Sequence, residues 1–499
     1  MISKITTINN AINSFIWGAP ALALLLGTGV IVTILTKFFQ VVHFSHWWKC
    51  TIGKLFTKND TVKDKSDKKA ISQFQALCTA LAATVGTGNI AGVATAIVAG
   101  GPGAVFWMWV AAFFGMMTNF SENVLGIYYR RKNIDGEWCG GAMYYLRDGL
   151  GSKKGMKTVG KVLAALFSLF ALLASFGIGN LAQVNTISAN INQVFGINVW
   201  ATGIFLTVLA ALVIVGGIKR IASVTEKLVP FMVVVYILGT LTIFIINIGK
   251  IGDVFGAIFR FAFDFKAAMG GAIGLTVSKA VTMGFKRGVF SNEAGLGSSV
   301  MVHSTSNVKE PVMQGMWGIF EVFADTIVVC TLTAFSILSS GLIDLSTGLK
   351  LTSVDASGLV AQVFSNTYGA LGGYFVAIAI LLFAFSTVLG WSIYGTKSWE
   401  YLFGTRSTVI YKIVFVAMII VSAVIPKSLA QLPWDISDTF NGLMLLPNLI
   451  GVLSLSGLVY SITKNYVDRK IRNIKNIAPM LSAFPDIQKL QEKAIQNEK

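Results

Sequence analysis

Charged residues are scarce, at 13% of 499 against roughly 25% in ordinary soluble domains, and that deficit excludes a soluble fold. Four cysteines, Cys50, Cys78, Cys139 and Cys330, show no CxxC spacing and no secreted framework, so neither a zinc site nor a disulfide staple is indicated and embedded free thiols remain. HExxH, GxSxG and P-loop motifs are missing, which removes the recognisable nucleophile, metal and phosphate chemistries of an enzyme. A repeated pore-lining filter or rings of like charge, which a channel would need, are missing too. The three histidines, His43, His46 and His303, fall in expected loops and suggest neither a metal nor a switch.

What is abundant is apolar: 54% of residues are hydrophobic and the mean hydropathy is +0.69. Runs of about 20 such residues recur, each long enough to cross roughly 30 Å of hydrocarbon as a helix. They predict an all-α polytopic membrane protein with eleven spans, near 15–36, 72–98, 103–129, 162–188, 199–218, 228–248, 267–285, 312–341, 369–396, 409–425 and 434–462. The first run lacks a small-residue cleavage site of signal-peptide type and is expected to stay in the mature protein.

A formal net charge of +17 could signal nucleic-acid binding, but its placement argues for membrane topology. With the N-terminus outside, the expected inner loops 37–70, 130–161, 219–227, 286–310, 397–412 and 464–499 hold 33 of the 40 Lys and Arg residues. That bias predicts N-out, C-in. The expected organisation is an N-terminal helix and basic cytoplasmic loop (1–70), two five-helix units (71–250 and 251–463) and a cytoplasmic tail (464–499). Because five is odd, the units would run in opposite senses, which permits an inverted repeat. Such repeats place substrate near the midplane, where the first helix of each breaks. The breaks are expected in 72–98, interrupted by Gly86, Gly88 and Gly92, and in about 267–302, which carries Gly270, Gly271, Gly274, Gly284, Gly288, Gly295 and Gly297.

The run Ala82-Ala83-Thr84-Val85-Gly86-Thr87-Gly88-Asn89-Ile90-Ala91 matches GxGxxA, yet a dinucleotide fingerprint must follow a strand and open a helix, and this one sits midway along an apolar run. Two glycines with Asn at that depth can unwind one turn, freeing carbonyls for Na⁺ and an ammonium, and N–H groups for a carboxylate. A zwitterionic amino acid needs both. Glycines here also serve simply to let helices approach closely. The adjacent hydroxyls of Ser386 and Thr387 could ligate a cation or bond back to carbonyls in their own helix. Gln183, in a mostly apolar helix, could meet both ends of a zwitterion or tie helices together, and Trp391 near mid-helix could be packing.

VGTGN at 85–89 looks like the broken first helix of sodium-coupled amino acid transporters of the LeuT-type fold. More specifically, the chain resembles the alanine/glycine:cation symporter family in FQALCTALAATVGTGNIAGVATAI (74–97), GGPGAVFWMWVAAFFGM (100–116), GGAMYYL (140–146), KRGVFSNEAGLGS (286–298) and FEVFADTIVVCTLTA (320–334). The resemblance implies a secondary active transporter in the inner (cell) membrane of a bacterium or archaeon, importing alanine and glycine by sodium symport through alternating access. It calls for no cofactor beyond Na⁺ and leaves the oligomeric state open. It implies that Thr87, Gly88 and Asn89 clamp the substrate's main chain with Thr84 nearby. The carbonyls of Ala82 and Val85, with Ser386 and Thr387, would coordinate sodium. Gln183 would meet the substrate's charged ends and Trp391 would cap a pocket sized for a methyl group. Phe290 and Asn292, with Met283-Gly284-Phe285 before them, mark the expected second break.

Charges inside spans are costly, so Glu122, Lys279, Glu321 and Asp325 are functional suspects. Glu321 and Asp325, four apart, are expected on one helix face, pairing with Lys279 or with Lys286 and Arg287. Proton coupling, with Glu122 as relay, and a transporter-derived amino acid sensor are the alternatives to sodium symport.

Overall fold

The computed structural model describes residues 2–57, 62–64, 67, 69–263, 277–429 and 431–496. The expected span 267–285 begins outside these residues, as do Gly270, Gly271 and Gly274. The main helices are Ile2–Ile16 (α1), Ala19–Leu35 (α2), Gln73–Thr84 (α3), Ala91–Gly100 (α4) and Gly103–Tyr128 (α5), then Lys157–Phe195 (α6). Val199–Ile214 (α7), Gly217–Ile246 (α8), Ile251–Phe263 (α9) and Val277–Asn292 (α10) follow, then Pro311–Ser339 (α11). Ala356–Tyr368 (α12), Ala370–Phe403 (α13), Thr408–Ala423 (α14), Gln431–Ser454 (α15), Ser456–Lys470 (α16) and Pro485–Gln496 (α17) complete the set. A two-residue hairpin pairs Arg131–Lys132 with Trp138–Cys139.

Seven helices of the described residues are long and apolar enough to cross a membrane, and the bent pair α1 and α2 makes an eighth; α4 and α7 are apolar but shorter. The first span is therefore a helix pair meeting at 42°, with Gly18 between the halves and a proline in the first turn of α2, where the missing N–H ends the upstream ladder. The expected last span, 434–462, divides at Leu455 into α15 and α16. Residues 219–227, expected as an inner loop, lie within α8.

α13 is the central post: 34 residues, about 51 Å at 1.5 Å per residue, with 83% of its apolar window buried. α8 and the helix containing α14 bury 28% of theirs and so present most of their apolar surface outward. Small residues let the post meet its neighbours. A Cβ on Gly390 would come within 2.7 Å of the Ala83 Cβ on α3, and one on Gly179 of α6 within 2.3 Å of the Trp391 Cβ.

Both expected breaks occur. α3 starts on a capping box, Ser72 Oγ accepting from Gln75 N and Gln75 Oε1 from Ser72 N, both at 3.1 Å. It stops at Thr84; Gly86 lies at φ −135°, ψ −150°, and a single 3₁₀ turn, Thr87–Asn89, leads into α4. The second break lies later than Met283-Gly284-Phe285, because α10 runs unbroken to Asn292. Gly284 serves packing instead: a Cβ there would stand 2.5 Å from the Trp107 Cβ. After Asn292 the chain turns through Glu293 (φ 56°), Gly295 (φ 94°) and Gly297 (φ 70°) and re-enters one helical turn at Val300–His303.

Candidate functional site

The first break is held from three sides. Within it, Asn89 Oδ1 accepts from Gly86 N at 3.0 Å. From α6, Gln183 Oε1 accepts from Thr87 Oγ1 at 3.0 Å. From α11, Asp325 Oδ1 accepts from Asn89 Nδ2 at 2.6 Å. Thr87, Asn89, Gln183 and Asp325 are all buried. Thr84 turns its hydroxyl back to Leu81 O at 3.4 Å, and Gly88 packs on Phe290 and Ser291 of α10, which a Cβ would meet at 3.4 Å.

From α13, Ser386 Oγ comes to 3.3 Å from Ala82 O, while Thr387 Oγ1 would be 2.4 Å from a Cβ on Gly86. Both hydroxyls also donate to Phe383 O, at 2.8 and 3.0 Å. Ala82, Ser386 and Thr387 are thus gathered beside the break; Val85, three residues after Ala82, marks where the backbone leaves helical geometry (φ −78°, ψ 88°). These oxygens are uncharged, and such oxygens can ligate a hard cation.

Phe290 sits between the break and α15, tilted against Trp434 at 5.6 Å with the Arg287 guanidinium 5.4 Å over its ring. Trp391 rests on Gly179, contacts Tyr394 edge-on at 5.2 Å, and joins the break through its neighbour Gly390.

The buried charges pair differently from expectation. Lys286 and Arg287 bind Asp438 of α15, at 2.7 and 3.2 Å, and lie in α10, not in a loop. Residues Phe323–Cys330 form a π-helical stretch, and Asp325 lies within it. Asp325 Oδ2 accepts from Ser291 Oγ and Thr326 Oγ1, both at 2.8 Å, so its carboxylate bridges both broken helices. Glu321 instead meets His303 Nε2 at 3.0 Å and Asn119 Nδ2 at 3.3 Å. His303, expected in a loop, is fully buried. Glu122 Oε1 accepts from Asn448 Nδ2 at 2.5 Å.

Ser291, Glu293 and Tyr394 are site neighbours that sequence reasoning missed. Residues 286–310 read as an inner loop, so a carboxylate at 293 carried no desolvation signal; an acidic residue between Asn292 and the glycines at 295 and 297 was the available clue. Two cavities of about 320 and 290 Å³ lie elsewhere, the first beside His46, Cys50, Glu310 and Tyr466, the second beside Lys397, Glu400 and Lys412. Neither is lined by the residues of the break.

Two helices interrupted deep inside an apolar bundle, their freed groups facing neutral oxygens and bridged by a carboxylate, define a secondary transporter. Comparison narrows the class. The model of the sodium:alanine symporter family matches residues 2–479, and the chain belongs to that family. It is 45% identical over 473 residues to the sodium/alanine symporter AgcS of Methanococcus maripaludis, covering 94% of this chain and 98% of the other. It is 36% identical over 460 residues to a probable sodium/glutamine symporter, GlnT, of Bacillus subtilis, covering 92% and 90%. Among solved structures, a Na⁺-coupled sialic acid symporter in a substrate-bound outward-open state aligns over 95% of this chain and 96% of its own, with TM-score 0.50 and 14% identity, a likeness of fold.

Proposed function

We propose that this protein imports alanine and glycine together with sodium by alternating access, through eleven spans arranged as one extra helix and a five-plus-five inverted repeat, N-terminus outside. The observation that carries this reading is the convergence of Ala82, Thr87, Gln183, Ser386 and Thr387 on one interrupted helix. On it, sodium is held by the carbonyls of Ala82 and Val85 and the hydroxyls of Ser386 and Thr387. The substrate's main chain rests on Thr87, Gly88 and Asn89, near Thr84, with Gln183 above and Phe290 and Trp391 bounding the side chain. Oxygen dipoles hold a hard cation without a formal charge that would trap it.

A second reading, proton coupling, is favoured by Asp325, a fully buried carboxylate at both breaks whose contacts given above are a neutral amide and hydroxyls. Uptake of labelled alanine and glycine into proteoliposomes separates the two. Accumulation that requires an inward sodium gradient, is competed by both amino acids and is lost in Thr387→Ala supports sodium symport. Accumulation driven by a proton gradient at equal sodium supports the second reading, and binding without accumulation under any gradient marks a sensor.

A further inference from the structure

The cavity of about 290 Å³ lies away from both breaks, where α7 ends, α8 begins and α13 passes into α14. Gly216, Gly217 and Lys219 line it from the start of α8, Thr408 and Lys412 from α14, and Asp135 and Glu137 from the turn of the hairpin. Its buried part is a satisfied pair. Lys397 Nζ donates to Glu400 Oε2 at 2.9 Å, and Glu400 Oε1 accepts from Asn133 Nδ2 at 2.9 Å and Thr405 Oγ1 at 3.0 Å. The remaining charges are unmatched. Among the described residues, the side chains of Glu137, Lys219 and Lys412 make no hydrogen bond or ion pair, although Glu137 and Glu400 lie within electrostatic reach of Lys412. Glu137 and Lys412 are half-buried.

A group of one sign is opposed here. A cation would face Lys69, Lys219, Lys397 and Lys412, and an anion would face Asp135, Glu137 and Glu400. A group carrying both charges satisfies both, since the amines only donate and the carboxylates only accept. The surroundings say where such a group comes from. Leu212 and Val215 at the end of α7, and Val409 and Ile413 in the first two turns of α14, are exposed apolar side chains beside the lining residues, and α8 and the helix containing α14 turn most of their apolar windows outward. In a membrane that surface is covered by acyl chains. The cavity is smaller than the roughly 300–1,000 Å³ of pockets for drug-sized ligands, so it takes a headgroup and leaves the chains on the helices. We propose that it holds the headgroup of a zwitterionic phospholipid bearing a primary amine, a phosphoethanolamine. The phosphate takes hydrogen bonds from Lys219 and Lys412, as basic pockets between membrane helices bind lipid headgroups, and the ammonium donates to Glu137. A trimethylated ammonium has no N–H to donate and leaves Glu137 unmatched. One lipid so bound joins the hairpin to α8 and α14.

The test is native mass spectrometry of the purified full chain, titrated with phosphatidylethanolamine, phosphatidylcholine and phosphatidylglycerol of identical acyl chains, so that binding is read independently of transport. The wild type is expected to retain one phosphatidylethanolamine about tenfold more tightly than either other lipid, the scale of one hydrogen bond to a charged group. The double variant Glu137→Gln with Lys412→Met removes one charge of each sign and leaves the net charge unchanged, and it is expected to lose that preference. The inference is overturned if the three lipids are retained equally, if phosphatidylglycerol is preferred, which marks a plain basic patch, or if the double variant keeps the wild-type preference. Should the double variant fail to fold, Glu137→Gln alone decides, because it removes the acceptor that tells a primary from a trimethylated ammonium. A protein that moves no amino acid yet retains phosphatidylethanolamine in this way loses the transport reading and keeps the lipid site.

Discussion

Replacing Gly86 by alanine probes the contact between the first helix break and the central post. The backbone there, at φ −135°, ψ −150°, is one that alanine adopts, so the cost is one of space. The new Cβ would stand 2.4 Å from Thr387 Oγ1, about 1 Å inside ordinary contact, and 3.6 Å from Gln183 Oε1. Two escapes exist. Rotating the Thr387 side chain gives up its 3.0 Å bond to Phe383 O, worth about 1 kcal/mol. Parting α3 from α13 is an overpacking strain of about 1–3 kcal/mol. The first is cheaper and removes the hydroxyl from the break, so sodium-driven uptake is expected to suffer more than stability. Gly86→Ala should lower the unfolding free energy by about 1–3 kcal/mol, read by thermal unfolding in detergent. The double variant with Thr387→Ala, which lacks the clashing oxygen, should be more stable than the sum of the two losses by about 1 kcal/mol. Simple additivity, or a single variant as stable as the wild type, would refute the close approach.

Asp325→Ala should cost about 3 kcal/mol or more, because it strands the Asn89 amide and the Ser291 and Thr326 hydroxyls that now meet on one carboxylate; Asp325→Asn should cost less, and thermal unfolding of the two variants gives the ranking. Asp438→Ala should destabilise by about 3–5 kcal/mol, since it leaves Lys286 and Arg287 buried without their counter-charge, whereas Lys286→Met, which keeps the Arg287 pair, should cost clearly less in the same assay. In the connection after α11, Asp344 is held at about 2, below its usual 3.8, chiefly by hydrogen bonds from Ser346 and then Thr347. A depressed carboxyl contributes order above its unfolded value and loses it as pH falls towards the folded one. Amide exchange at Ser346, corrected for intrinsic rate, should therefore stay slow at pH 5 and quicken between about pH 4 and 2; a flat profile would contradict the turn.

How far the sequence carries depends on what each feature answers to. Apolar run length answers to the bilayer, and most expected spans have a helix within a few residues of their bounds. Gly86 and Gly88 were legible as a break because Asn89 accompanies them, and a polar residue at that depth must find partners. Gly284 has the same local look, yet its lack of a side chain is used by Trp107 on another helix, a fact no single stretch contains. Leu455 divides a run that reads as continuous. Asp325 is legible as a buried charge, but the cations expected to pair with it, Lys286 and Arg287, bind Asp438 instead, and its partners Asn89, Ser291 and Thr326 come from other stretches or its own neighbour. Charge counting assigns residues 219–227 to a loop, though they lie within α8, and Lys286 and Arg287 to another, whereas they neutralise Asp438 from within α10.

That neutralisation bears on how a cation could be drawn in without being trapped. With Lys286 and Arg287 bound to Asp438, the carboxylates of Asp325, Glu293 and Glu321 are met by amide, hydroxyl and imidazole groups. If Asp325 is ionised, its field is felt at the first break; unit charges 10 Å apart still attract by about 1.7 kcal/mol at an effective dielectric of about 20. Its oxygens, however, are occupied by Asn89, Ser291 and Thr326. A sodium ion beside Ala82, Val85, Ser386 and Thr387 would then gain the long-range attraction without direct contact with a carboxylate. Its release when the helices part would break no direct contact with a charged ligand. The same separation predicts opposite phenotypes for the two groups: weakening Asp325 should lower sodium affinity gradually, while removing a hydroxyl from Ser386 or Thr387 should abolish the site.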